Sequence, residues 1–323
     1  MLDKTGLVAI DRRRADRLSR DGAIHLEQVI PPERVDEILA LALKTQSEEN
    51  FHHTKVFAIL IEEMRLHRLV QSLFAESIYY IGWSNVMRER KATAAHLHDD
   101  AKGCPIPADG SVDKYFQVVT RPFDPIRHPT FPIYRLFIYL NDHTRHSGGT
   151  KVKRGSHKRH ELLSAAGLRQ ILRGKFKNVM LPFFGYVNPM VKPGDAVLFN
   201  LRTRHSGHFV RLRRPFAGFA LPPRLDNMIK RMTLGSRFGR KILNLFAYPF
   251  PDARTSVVID FCVESDWARG FQGNRLLHPG NEKRRQLFFD CSDPAFVARL
   301  NAVGLDVLNA PALPKLEALL KAA

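Results

Sequence analysis

The stretch that most constrains the fold is GDAVLFNLRTRHSG, residues 194–207. Gly194-Asp195 reads as a tight turn. Val197, Leu198 and Phe199 read as a strand, and a polar rim follows with Thr203 and His205. An apolar, β-favouring run bounded by Gly-Asp and Ser-Gly is a strand signal. A histidine at a strand end is most often an ordinary surface or core residue. This one has a counterpart upstream in His98-Asp99-Asp100.

The pattern on either side points to a β core with helices around it. Residues 21–43 read as a short strand, a break at Pro31-Pro32 and a helix whose first turn tolerates proline. Its apolar face is Val35, Ile38, Leu39 and Ala42. Residues 56–74 predict a second helix, and both are expected to buttress a sheet. Strands are predicted at Ile78–Arg88, Tyr134–Leu140, Thr150–Lys153, Val179–Leu181 and Arg254–Cys262, with a helix over Leu162–Leu172. Residues 101–130 read as a loop covering a site. The segment from Pro294 reads as helical, first through Phe296, Val297, Leu300 and Val303, then through Leu316, Leu319 and Leu320. Many short strands separated by turn signals predict a closed or double-sheet β core. Without an internal repeat or low-complexity linker, the 323 residues are expected to form a single domain.

Composition sets limits on partners. Fifty basic against 32 acidic residues give a net charge of +18. Eleven of the basic residues lie between Arg202 and Phe246, against the single acid Asp226. That concentration beside His205 favours an anionic substrate over general solubility. In 224–246 the cations alternate with large apolar residues, which predicts a basic, partly helical cover able to meet an anionic surface. Cys104, Cys262 and Cys291 are an odd number without paired spacing, which argues for a reducing compartment and against a disulfide frame or thiolate zinc site. The first 22 residues lack the apolar stretch and cleavage site of a signal peptide. No apolar run is long enough to cross a bilayer. The expected location is therefore cytoplasmic, with peripheral contact at the inner membrane surface through 224–246.

Two histidines and a carboxylate are the facial donor set of non-haem Fe(II) oxygenases. Five stretches, in order from about residue 20 to 265, extend the match: DGAIHLEQVIPPERVDEILAL, His98-x-Asp100, SGGTKVKRGSHK (147–158), GDAVLFNLRTRHSG, and Arg254 opening RTSVVIDF. In these the chain resembles the phytanoyl-CoA dioxygenase-like family of Fe(II)/2-oxoglutarate-dependent oxygenases. The resemblance implies a double-stranded β-helix (jelly-roll, cupin-like) core, mainly β, with N-terminal buttressing helices. About 215–253 would then be a basic helical insertion and about 280–323 a C-terminal helical extension.

The same resemblance implies His98, Asp100 and His205 as iron ligands, with 2-oxoglutarate and O2 filling the open positions. His98 and Asp100, two apart on an extended segment, point to one side. Asp99 would then point away, and a His96/His98 pair would supply no carboxylate. A guanidinium can clamp the distal carboxylate of 2-oxoglutarate with two parallel hydrogen bonds. Arg254, followed at once by a strand, is preferred for this to Arg214, which is followed by the poor strand start PFAGFALPP. Arg135 and Thr150 are candidates to line the same pocket. Ser156 and His157 read as structural, and Thr203 and His208 as groups that could orient His205.

The activity this implies is hydroxylation of an unactivated C–H in an anionic small molecule, lipid or glycan. Two other readings stand beside it. One is a non-catalytic basic module on the same barrel, holding nucleic acid or a membrane surface. The retained ligand set weighs against it, and the absence of a nucleic-acid motif makes that partner the weaker one. The other is a metalloenzyme that does not use 2-oxoglutarate.

Overall fold

The computed structural model describes residues 10–45, 51–89, 132–142, 150–158, 186–187, 189–206, 254–265, 268–269, 271–272 and 293–308. Helix α1 (Arg12–Asp21) leads into β1 (Ala23–Leu26) and α2 (Pro32–Lys44). Short helices α3 (Lys55–Phe57) and α4 (Leu66–Gln71) precede the long strand β2 (Ile78–Glu89). Strands β3 (Ile133–Tyr139), β4 (Lys151–Lys153), β5 (Tyr186–Val187), β6 (Ala196–Asn200), β7 (His205–Ser206) and β8 (Arg254–Val263) follow. Helix α5 (Pro294–Ala302) and β9 (Asp306–Val307) end the described chain.

Six strands form one mixed sheet in the order β1-β6-β3-β8-β2-β9, and a smaller sheet has the order β5-β4-β7. All pairings are antiparallel except β2 with β9. Strand alternation divides the large sheet's side chains between two apolar clusters. Leu136, Ile138, Leu198, Ile259 and Phe261 face helical residues such as Ile38, Leu60 and Phe296. Val197, Phe199, Ile133, Tyr139 and Cys262 turn the other way and meet Val152 of the small sheet, with Val191 and Phe271. Because both faces of β6 are covered, all five of its residues are buried. This explains why 196–199 is a continuous apolar run rather than an alternating one.

The Gly194-Asp195 turn holds this strand in register. Gly194 has φ +87, and a Cβ there would lie 2.6 Å from the Ile30 carbonyl oxygen, so glycine is required on two counts. The buried Asp195 carboxylate accepts the Gln28 and Lys192 amides, each at 2.9 Å, and pairs with His25 Nε2 at 3.0 Å. It thus ties the start of β6 to the loop after β1.

Two expectations need correction. The stretch 56–74 is not one helix: α3 runs into a π-helical segment, Ala58–Glu63, and Arg65 breaks the path with φ +50 before α4. The apolar residues still point inward, since Ile59, Leu60, Leu66 and Val70 are all buried. The helix from Pro294 stops at Ala302, with Val303 as its C-cap, and the chain turns at Gly304 into β9. The segments 101–130, 162–172, 179–181, 215–253 and 309–323 lie outside the described residues. Among the described residues no helix is long and apolar enough to cross a membrane.

The docking of this C-terminal turn carries a titratable group. His67 is buried on α4 and its Nε2 bonds the Val303 carbonyl at 3.0 Å. Burial pushes its pKa down to about 4; the bond to Val303 opposes the shift, and neighbouring Arg68 and Arg65 add to it. The folded state therefore prefers neutral imidazole. The resulting stability is complete above the unfolded value near 6.5 and is lost as pH falls from there to about 4. Wild-type protein should lose about 2–3 kcal/mol from this group over that interval. His67→Gln should flatten that part of the curve, as read by urea unfolding at pH 7, 5.5 and 4. An unchanged slope in the variant would show that His67 does not titrate in this way.

Candidate metal centre

The end of β6 turns sharply before β7. Asn200 organises the turn: its side-chain oxygen accepts the Arg202 amide at 3.0 Å and its carbonyl accepts the Thr203 amide at 2.8 Å. The chain then delivers His205 opposite Val152 of β4. His205 is 4% exposed, and its ring lies 4.5 Å from that of Phe199, on the face of the large sheet that meets the small one. Its Nδ1 is 2.9 Å from the Thr203 carbonyl oxygen. A carbonyl can only accept, so Nδ1 carries the hydrogen, and in the neutral ring Nε2 carries the lone pair. In this tautomer Nε2 is the nitrogen through which the ring would ligate a metal.

His98 and Asp100 lie outside the described residues, as do Arg214 and His208. Among the described residues no three His, Cys, Asp or Glu side chains come together as a metal site. The one candidate ligand in view is nonetheless held in the form that fits Fe(II).

The polar groups on the same face fall into two sets. Arg135 of β3 and Asp260 of β8 are opposite each other and form a bidentate pair, with Nε–Oδ1 and Nη2–Oδ2 both at 2.7 Å. Asp260 is 1% exposed, so loss of Arg135 would leave a buried carboxylate without this two-point partner. Arg135, expected in the co-substrate pocket, thus directs two of its donors to a protein carboxylate. Beside the pair, burial pushes the Cys262 thiol pKa up, reinforced by Asp260, and the cysteine stays protonated and unreactive.

The second set lies at the other end of β3. The Tyr139 hydroxyl donates to Thr150 Oγ1 at 2.8 Å and accepts the Thr150 amide at 2.8 Å. Tyr139 is opposite Ser256, and Arg254 stands two residues earlier on β8, a position with the same strand parity. Tyr139 and Ser256 were absent from the sequence-derived set; only the alternation of YRLFIYL could have placed Tyr139 on the face of Arg135. Ser156 and His157, read as structural from their motif, bond to the backbone around this turn. Ser156 Oγ donates to the Lys153 carbonyl and accepts the Arg204 amide, and His157 Nε2 lies 3.1 Å from the Ser19 carbonyl oxygen.

The family model for phytanoyl-CoA dioxygenase (PhyH) matches residues 43–211. The chain belongs to the phytanoyl-CoA dioxygenase family and is accordingly a non-haem Fe/2-oxoglutarate-dependent oxygenase, working with Fe(II), 2-oxoglutarate and O2. The matched range includes His98, Asp100, Arg135, Thr150 and His205 and stops short of Arg214 and Arg254. Among solved structures, the chain is similar to the α-ketoglutarate-dependent carbocyclase SnoK from nogalamycin biosynthesis, at 12% identity and a TM-score of 0.48, covering 78% of this chain and 84% of that one. It is similar also to iron-bound HygX from Streptomyces hygroscopicus, at 15% identity and 0.48, covering 79% and 87%. A third is the α-ketoglutarate-dependent epimerase SnoN, also from nogalamycin biosynthesis, at 16% and 0.45, covering 77% and 81%. Comparison with curated proteins gave no match.

Proposed function

We propose that the chain hydroxylates an unactivated C–H of an anionic small molecule, lipid or glycan, on a double-stranded β-helix core of which the two sheets are the halves. His98, Asp100 and His205 would hold Fe(II), and Arg254 would clamp 2-oxoglutarate. The observation that carries this is His205: buried at the turn after β6, with its Nδ1 committed to the Thr203 carbonyl. Bound iron would supply the oxidative chemistry, coupled to conversion of 2-oxoglutarate to succinate and CO2. The chain's own residues bind, orient and exclude water. Phe199 and Val152 keep the His205 side apolar, while Tyr139, Thr150 and Ser256 offer hydroxyl groups on the strand face that position 254 shares.

The substrate class rests on charge. Eleven cations against one acid in 202–246, next in sequence to His205, favour a phosphorylated or carboxylated substrate. The test is succinate formation from 2-oxoglutarate in the presence of matched anionic and neutral candidates, with His98→Ala as the blank. Anionic compounds should stimulate turnover, more at low salt than at high salt. Charge reversal at Lys230, Arg231, Arg240 and Lys241 should weaken the stimulation. Equal stimulation by neutral analogues, or indifference to the reversed charges, would overturn the anionic reading.

A further inference from the structure

His205 is not aimed by its own strand alone. The carbonyl it bonds belongs to Thr203, which is completely buried. Thr203 Oγ1 donates to the Gly22 carbonyl at 2.7 Å, and that carbonyl also accepts the Asn200 amide at 2.9 Å. Gly22 is the C-cap of α1, left-handed at φ +77, with its own amide bonded to Leu18. The path from helix to imidazole therefore has two links: Gly22 carbonyl to Thr203 hydroxyl, and Thr203 carbonyl to His205 Nδ1.

The fit around the first link is tight. A Cβ at position 22 would lie 2.5 Å from Thr203 Oγ1 and 2.3 Å from His157 Nδ1. Both are distances that force neighbours to move. On the far side of the turn, the Arg204 amide donates to Ser156 Oγ at 2.8 Å and its carbonyl accepts the Lys153 amide at 2.8 Å. The turn is thus held from the α1 side through Thr203 and from the β4 side through Arg204. Gly22 and α1 lie before the matched range 43–211.

We propose that Thr203 is the positioning residue for His205, anchored on the α1 cap at Gly22, so that an N-terminal element outside the matched range sets the affinity of the metal centre. This rests on the reading of His205 as an iron ligand. The hydroxyl fixes the Thr203 rotamer and peptide plane, and the peptide plane fixes the imidazole's tautomer and tilt. Thr203→Val keeps the shape and removes the donor; Thr203→Ser restores the donor.

Anaerobic titration of the apoprotein with Fe(II), alongside thermal midpoints, separates positioning from simple support. Thr203→Val should bind Fe(II) about 10–100-fold more weakly, and Thr203→Ser should return to the wild-type value. Wild-type affinity in Thr203→Val, or an equal loss in Thr203→Ser, overturns the proposal. The 15N spectrum of histidine-labelled wild-type apoprotein gives a second readout, independent of whether Thr203→Val folds. His205 should show one Nδ1-protonated tautomer at neutral pH, and a mixture of tautomers overturns the proposal as well. His205→Ala separates the two levels. Unchanged affinity there removes the ligand reading itself, whereas loss there with wild-type affinity in Thr203→Val removes only the positioning role.

Discussion

His205→Ala should abolish Fe(II) binding and turnover while the fold survives. The ring is buried, contacts Phe199 and donates a hydrogen bond to the Thr203 carbonyl at 2.9 Å. Its removal costs the fold about 1–3 kcal/mol, a value common for single substitutions and tolerable for a domain of this size. The effect on metal is larger. Removing a partner that merely orients a ligand costs 10–100-fold in affinity, so removing a ligand should cost at least about two orders of magnitude. His98→Ala and Asp100→Ala should match it if these residues complete the facial set. The readout is anaerobic titration with Fe(II) and 2-oxoglutarate, following the weak charge-transfer absorption of the ternary complex. Retention of that absorption in any of the three variants would remove that residue from the site. Retention when His98 is lost, together with loss in His96→Ala, would move the first ligand two residues upstream.

What the sequence made legible follows from how local its signals are. The turn at Gly194-Asp195 could be read because a left-handed glycine and an aspartate that accepts the Lys192 amide are local signals, whereas its bond to the Gln28 amide, 167 positions away, was not legible. Strands β2, β3, β6 and β8 were readable because burial on one or both faces leaves runs of Ile, Val, Tyr and Phe. Helix α1 was not, because RRRADRLSRD offers only Leu18 as a buried apolar residue. Its start and stop signals, the Asp11 N-cap and the Gly22 C-cap, stand around a stretch with no apolar stripe. The break in 56–74 was hidden for the opposite reason. The apolar periodicity continues across Arg65, and nothing in an arginine announces φ +50. The site divides along the same line. Histidine at a strand end is a visible motif, but the links that hold it, Gly22 to Thr203 and Tyr139 to Thr150, join segments 181 and 11 positions apart. Arg135 reads from its strand as a residue lining the co-substrate pocket, and its partner Asp260 lies 125 positions away, out of reach of any local signal.

The guanidinium expected to clamp 2-oxoglutarate is Arg254, not the Arg135 that lines the same face. A clamp should direct its fork at the distal carboxylate of 2-oxoglutarate, and Arg135 already spans Asp260 with two bonds of 2.7 Å. Arg254 opens β8 with the strand parity of Ser256, the residue opposite Tyr139, and Tyr139 is bonded to Thr150. Removing one member of a buried, hydrogen-bonded charge pair costs roughly 3–5 kcal/mol. Each 1.4 kcal/mol is a factor of about ten in affinity, so Arg254→Ala should raise the KM for 2-oxoglutarate by two to three orders of magnitude. Fe(II) affinity in the absence of 2-oxoglutarate should stay at the wild-type value. Arg254→Lys should recover only part of the loss, because an ammonium cannot reproduce the two-point fork. Arg214→Ala should leave the 2-oxoglutarate KM unchanged and act on the substrate instead. The opposite pattern would place the clamp at Arg214, eight residues in sequence after β7. Residues 215–253 would then no longer read as an insertion before the clamp strand.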